Sequence, residues 1–166
     1  MVYKTNNSER ILDFERDADP ECKFIPLVVR MKLDLAKLCI HLSDWQALSR
    51  EQRYTLVQFS AANSGEIDQF RNVLQNFLSS GEREFVARPS KTVSATTHAW
   101  LDATEPRSVM AIRLSAGVYA KWETLDCFGR YVLVYAAKQN DPILCRAIAA
   151  EMPTMLLVPN KNISGS

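Results

Sequence analysis

From Gly65 onward, Ile67, Phe70, Leu74, Phe77 and Leu78 recur at three- and four-residue steps, with Asp68, Gln69, Arg71, Asn72, Gln75 and Asn76 between them. That spacing lays one apolar stripe along an α-helix opening after the Asn63-Ser64-Gly65 break. Upstream, Pro26 precedes LVVRMKLDLAKL, where Val29, Met31, Leu33 and Leu35 alternate with Arg30, Lys32 and Asp34. Alternation is also a strand pattern. The apolar run continues through Ala36 and Leu38, beyond usual strand length, and Arg30 and Asp34 have the i,i+4 spacing of a helical charge pair, so helix is the reading. A proline in the first turn suits a helix start, where its missing amide proton costs little. Ser49 with Gln52 three positions on has the form of a capping box, opening a helix to about Ala61.

The order then recurs. Pro106-x-x-Val109 echoes Pro26-x-x-Val29, and Asp141-Pro142 opens a further helical stretch, ILCRAIAAEM. Between them, Trp122, Leu125, Arg130, Tyr131, Leu133 and Val134 repeat the intervals of Trp45, Leu48, Arg53, Tyr54, Leu56 and Val57. The second copy is three residues shorter before its Trp, carries Asp126 as a candidate N-cap, and has Gly129 where the first has the Gln of its capping box. Fixed-order recurrence of this kind points to an internal repeat. A three-helix piece would struggle to bury its apolar face alone, so the two copies are expected to share a core. The expected fold is all-α, about six helices in two imperfect three-helix repeats (about 11–80 and 100–152) with pseudo-twofold packing. They form a single domain over 11–150, joined by a polar connector 81–99 and flanked by flexible tails 1–10 and 159–166.

Composition narrows the function. A 166-residue chain with 47% hydrophobic residues can form a core without staples. Twenty basic against 19 acidic residues give no global field toward nucleic acid or anionic lipid. The N-terminus lacks a signal-peptide apolar run, and no stretch approaches the roughly 20 residues of a spanning helix, so a cytoplasmic protein with no membrane partner is expected. Cys22, Cys39, Cys127 and Cys145 are scattered without a C-x-x-C pair, and the two histidines are His41 and His98. Together they are the material for a small metal or iron-sulfur carrier, but local ligand pairs are missing, so no metal site is expected. No serine has a G-x-S-x-G context, and five glycines leave little for a phosphate-cradling loop. No catalytic residue and no cofactor site is expected, and the protein reads as a non-enzyme.

Trp45 and Trp122 are expected to close the core of each repeat, because a fold built twice needs both. Arg53 and Arg130, each eight residues after its Trp, return to the same side of a helix after about two turns. There each can stack on the indole or bond helix-end carbonyls. The HAWLDATEP stretch puts Trp100 beside Asp102 in polar surroundings. Thr104 is a candidate cap for the following helix, and Trp100 a candidate exposed aromatic.

The chain resembles the nitrate reductase-associated protein family. The matching elements are Phe14-Glu15-Arg16-Asp17, the run Ile25-Pro26-Leu27-Val28-Val29-Arg30-Met31-Lys32-Leu33-Asp34, Leu42-Ser43-Asp44-Trp45, Leu48-Ser49-Arg50-Glu51-Gln52-Arg53 and His98-Ala99-Trp100-Leu101-Asp102. They span about residues 11 to 150. The chain departs from the family at Phe24, where a Cys is common, in lacking a Gly after the K-L-D helix, and in missing residues before Trp122. The resemblance implies an accessory protein needed for active nitrate reductase, a molybdenum enzyme, rather than an enzyme that reduces nitrate. Arg30, Lys32 and Asp34, or Trp100 and Asp102, are then the candidate partner contacts.

Overall fold

The computed structural model describes residues 9–79 and 99–159, with the backbone of Arg88 and Pro89. The expected tails, except residues 9, 10 and 159, and most of the connector, including His98, lie outside the described residues. The chain divides into two compact units, 1–97 and 98–166.

Unit 1 contains α1 (Asp13–Ala18), α2 (Leu27–Ala36), α3 (Leu42–Ala47), α4 (Arg50–Gln58) and α5 (Ser64–Ser79). The helical reading of the K-L-D run holds, with Pro26 in an extended conformation one residue ahead of the first turn. Lys37, at φ 57°, ends α2 in the left-handed conformation. The chain then extends into β1 (Leu38–Cys39), which pairs antiparallel with β2 (Arg88–Pro89) inside the segment expected as a polar connector. At the start of α4 the capping box forms: the Gln52 amide donates to Ser49 Oγ at 3.1 Å and the Ser49 amide to Gln52 Oε1 at 3.0 Å. A cap of this kind stabilises a helix by about 1 kcal/mol. The α5 stripe buries Phe70, Leu74 and Leu78, and Phe70 meets Phe59 edge-on at 6.1 Å.

Unit 2 contains a 3-10 turn (Ala99–Leu101), α6 (Arg107–Ala116), β3 (Val118–Ala120), a second 3-10 turn (Trp122–Thr124), α7 (Cys127–Gln139), α8 (Pro142–Glu151) and β4 (Met155–Leu157). β3 and β4 pair antiparallel, with Tyr119 opposite Leu156. Asp126 and Asp141 cap α7 and α8 as expected, through the amides of Gly129 and Leu144. Thr104 does not cap α6, which begins after Pro106 with no side-chain cap bond. The Gly at 129 has a local cause, because a Cβ there would stand 2.9 Å from the capping oxygen of Asp126. The protein is thus mostly helical, and the described residues include two short antiparallel strand pairs that helical periodicity gave no reason to expect.

The two units share a set of bonds. In unit 1, Trp45 Nε1 donates to the Cys22 carbonyl at 3.0 Å and Arg53 Nε to the Trp45 carbonyl at 3.2 Å, while the Arg53 guanidinium also reaches the Cys22 carbonyl at 3.2 Å. In unit 2, Trp122 Nε1 donates to the Asp102 carbonyl at 2.9 Å, Arg130 Nε to the Trp122 carbonyl at 3.1 Å, and the Arg130 guanidinium to the Asp102 carbonyl at 3.1 Å. Cys22 and Asp102 each lie four residues before the helix-opening proline. At the other end of that helix, Arg71 donates to the Ala36 carbonyl and Arg146 to the Ala116 carbonyl, both at 2.9 Å. Trp45 and Trp122 are therefore buried and bonded, and Arg53 and Arg130 each add a second donor to a Trp carbonyl that already accepts from the Leu48 or Leu125 amide. Arg130 also lies over the Trp122 ring at 5.0 Å.

Candidate functional site

The Ile25–Asp34 run opens α2, and its first turn has no side-chain cap from Pro26. Glu15 of α1 supplies one. Its Oε1 accepts from the Leu27 amide at 2.9 Å and its Oε2 from the Leu12 amide at 3.1 Å, so one carboxylate ties two helix starts together. A carboxylate at a helix N-terminus is stabilised by the amide dipoles it faces. Arg30 turns back to the Ile25 carbonyl at 3.1 Å. Asp34 is half-buried.

Lys32 is 1% exposed, which corrects the expectation of a surface contact. Nearly every residue of α2 other than Arg30, Asp34 and Leu35 is buried, so the helix has little solvent-facing surface on which to display a lysine. Its Nζ donates to the Val57 carbonyl at 2.6 Å, at the end of α4 where helical partners run out. Burial pushes the ammonium down to about 8, against a smaller opposing pull from Glu9.

Trp100 is 1% exposed, with its ring edge-on to Tyr131 at 5.4 Å. Partner contact needs an exposed ring, and this one is enclosed by α7. Asp102 is exposed, and its backbone carbonyl is held by Trp122 and Arg130. Leu48 and Leu125, a further recurrent pair, are buried.

Periodicity missed two features. Arg113 of α6 is buried and forms a double hydrogen-bonded ion pair with Glu105, at 2.6 Å and 2.9 Å, with a further bond to the Val118 carbonyl at 3.1 Å. Its hydrogen bonds to the Glu105 carboxylate, and that carboxylate's charge, raise the Arg113 pKa against the opposing effect of burial. A charged residue beside the buried positions Val109, Ile112 and Ala116 was the available signal. The second feature is an open pocket of ≈ 230 Å³ between α1 and the start of α2, walled by Ile11, Phe14, Ala18, Cys22 and Ile25. Phe24, 59% exposed, stands at its lip, and its amide donates to Asp19 Oδ2 at 2.8 Å.

The cysteines do not converge. Cys22 and Cys145 are buried, Cys127 is half-buried and Cys39 is exposed. Burial raises both the Cys22 and Cys145 thiols to about 11, far from the thiolate that binds a metal. Among the described residues no three His, Cys, Asp or Glu side chains form a metal-binding group, and no helix is long and apolar enough to cross a membrane.

No curated protein and no solved structure matches the chain at a significant level. The family model described as conserved nitrate reductase-associated protein matches residues 11–143, from the start of α1 to the opening of α8. That span includes the Ile25–Asp34 run, both Trp-Arg arrangements and the pocket beside α1, and the chain belongs to the conserved nitrate reductase-associated protein family.

Proposed function

We propose that the protein is a non-catalytic, cytoplasmic accessory protein that binds assimilatory nitrate reductase and supports its assembly, cofactor maturation or activity. The observation that carries this reading is the family match over residues 11–143, in a family named for association with that enzyme. The polar groups support it. Arg53, Arg130, Glu15, Lys32 and the Glu105–Arg113 pair are all engaged with backbone carbonyls, amides or each other, as a scaffold requires. The effect on the enzyme is differential binding: a helper that prefers the cofactor-loaded state shifts the population toward it. The test is to add the purified protein to cofactor-free reductase during reconstitution with molybdenum cofactor. A higher fraction of active enzyme, together with co-elution of the two proteins, is expected. Equal activation with and without the protein, and separate elution, refutes the reading.

We also infer that the two units are copies of one helical pattern. The support is the recurrence of the Trp-Arg bonds to a carbonyl four residues before each proline.

A further inference from the structure

The pocket beside α1 is built for one side chain. Its ≈ 230 Å³ falls below the roughly 300–1,000 Å³ of small-molecule sites, and its walls are largely aliphatic and aromatic. It suits the single large apolar anchor that dominates many protein interfaces. Phe24 at the lip is an exposed aromatic on a tethered backbone: its amide donates to Asp19 Oδ2, and two residues earlier the Cys22 carbonyl accepts from Trp45 and Arg53. The surroundings carry a sign. The cations of residues 10–24 stand against two of its five carboxylates, Arg10 and Arg16 against Asp13 and Lys23 against Glu21. Glu15 and Asp19 themselves line the pocket. An acidic rim around an apolar well favours a partner whose anchor is flanked by cations.

We propose that this pocket is the docking point for nitrate reductase, taking one leucine-sized or aromatic side chain from a reductase segment flanked by Lys or Arg. This rests on the reading that the reductase is the partner. The test measures binding of purified nitrate reductase holoenzyme by the native protein and by three variants: Ala18→Trp, which fills the pocket from an exposed position, Phe24→Ala, which removes the lip, and Asp17→Lys, which reverses an exposed charge next in sequence to the lining residue Ala18. Circular-dichroism melts check that each variant is folded. The expected result is a Kd at least about tenfold weaker for Ala18→Trp and Phe24→Ala at unchanged melting temperature. Asp17→Lys should also bind more weakly, and added salt should weaken the native complex. If the native protein binds and all folded variants bind equally, the pocket is not the docking point, while the partner reading stands. If the native protein does not bind the reductase, the partner reading falls and this inference with it. If Ala18→Trp converts a self-associated protein to monomer in sedimentation without weakening reductase binding, the occupant is a second copy and the proposal is overturned.

Discussion

Replacing Lys32 by Met removes a cation from the core of unit 1 while keeping a flexible chain of similar volume. The native amine is 1% exposed and titrates near 8, against 10.5 for a free lysine. The sign follows from proton counts. Between those two values the unfolded chain holds the proton and the folded chain has released it, so stability rises with pH across that window. Below pH 8 both states are protonated and the cost of the buried charge is fully present; above 10.5 both are neutral and the cost is gone. At about 1.4 kcal/mol per pKa unit, the native protein should gain about 2–3 kcal/mol between pH 7 and pH 10 relative to Lys32→Met. The variant has its own cost, since the Val57 carbonyl loses the bond at 2.6 Å, about 1 kcal/mol or more and independent of pH. The assay is urea unfolding followed by circular dichroism at several pH values, with the variant subtracting the titration of all other groups. A difference between native and variant that stays flat from pH 7 to 10 refutes the reasoning, because it means that the folded amine keeps its ordinary affinity for protons.

The Glu105–Arg113 pair offers a test of the two-copy reading, since counting from the prolines places Ile25 and Leu33 at the matching positions of unit 1. Glu105→Ala alone should destabilise by about 3 kcal/mol, leaving a buried cation unpaired, whereas Glu105→Ile with Arg113→Leu should recover most of that loss in denaturant midpoints. A double variant no more stable than the single one argues against equivalent environments. For the thiols, a chromogenic disulfide reagent at pH 8 should label Cys39 quickly and Cys22 and Cys145 only on unfolding, because those two are buried and their thiolates scarce. Rapid labelling of all four sites in the folded protein contradicts the burial.

Six of the eight described helices, the caps from Ser49, Asp126 and Asp141 and the twin Trp-Arg spacing were legible in the sequence, because a cap or an apolar stripe is specified within one or two turns of chain. Glu15, Glu105–Arg113 and the pocket were not, because each joins segments with no shared period. Glu15 bonds an amide twelve residues away, and Lys32 a carbonyl twenty-five residues away. The burial of Lys32 and Trp100 shows the same limit. Polar neighbours suggested exposure for Trp100 and the family resemblance made Lys32 a candidate contact, but exposure depends on which faces meet: α2 is packed on most sides, and Tyr131 of α7 lies against Trp100. The sequence by itself determined the six longer helices and the family, since both rest on residue types at fixed spacing, while the six-residue α1 and α3 went unread. Only the tertiary structure decided which charges are enclosed and where an apolar well stays open, since burial is a property of surfaces brought together from distant parts of the chain.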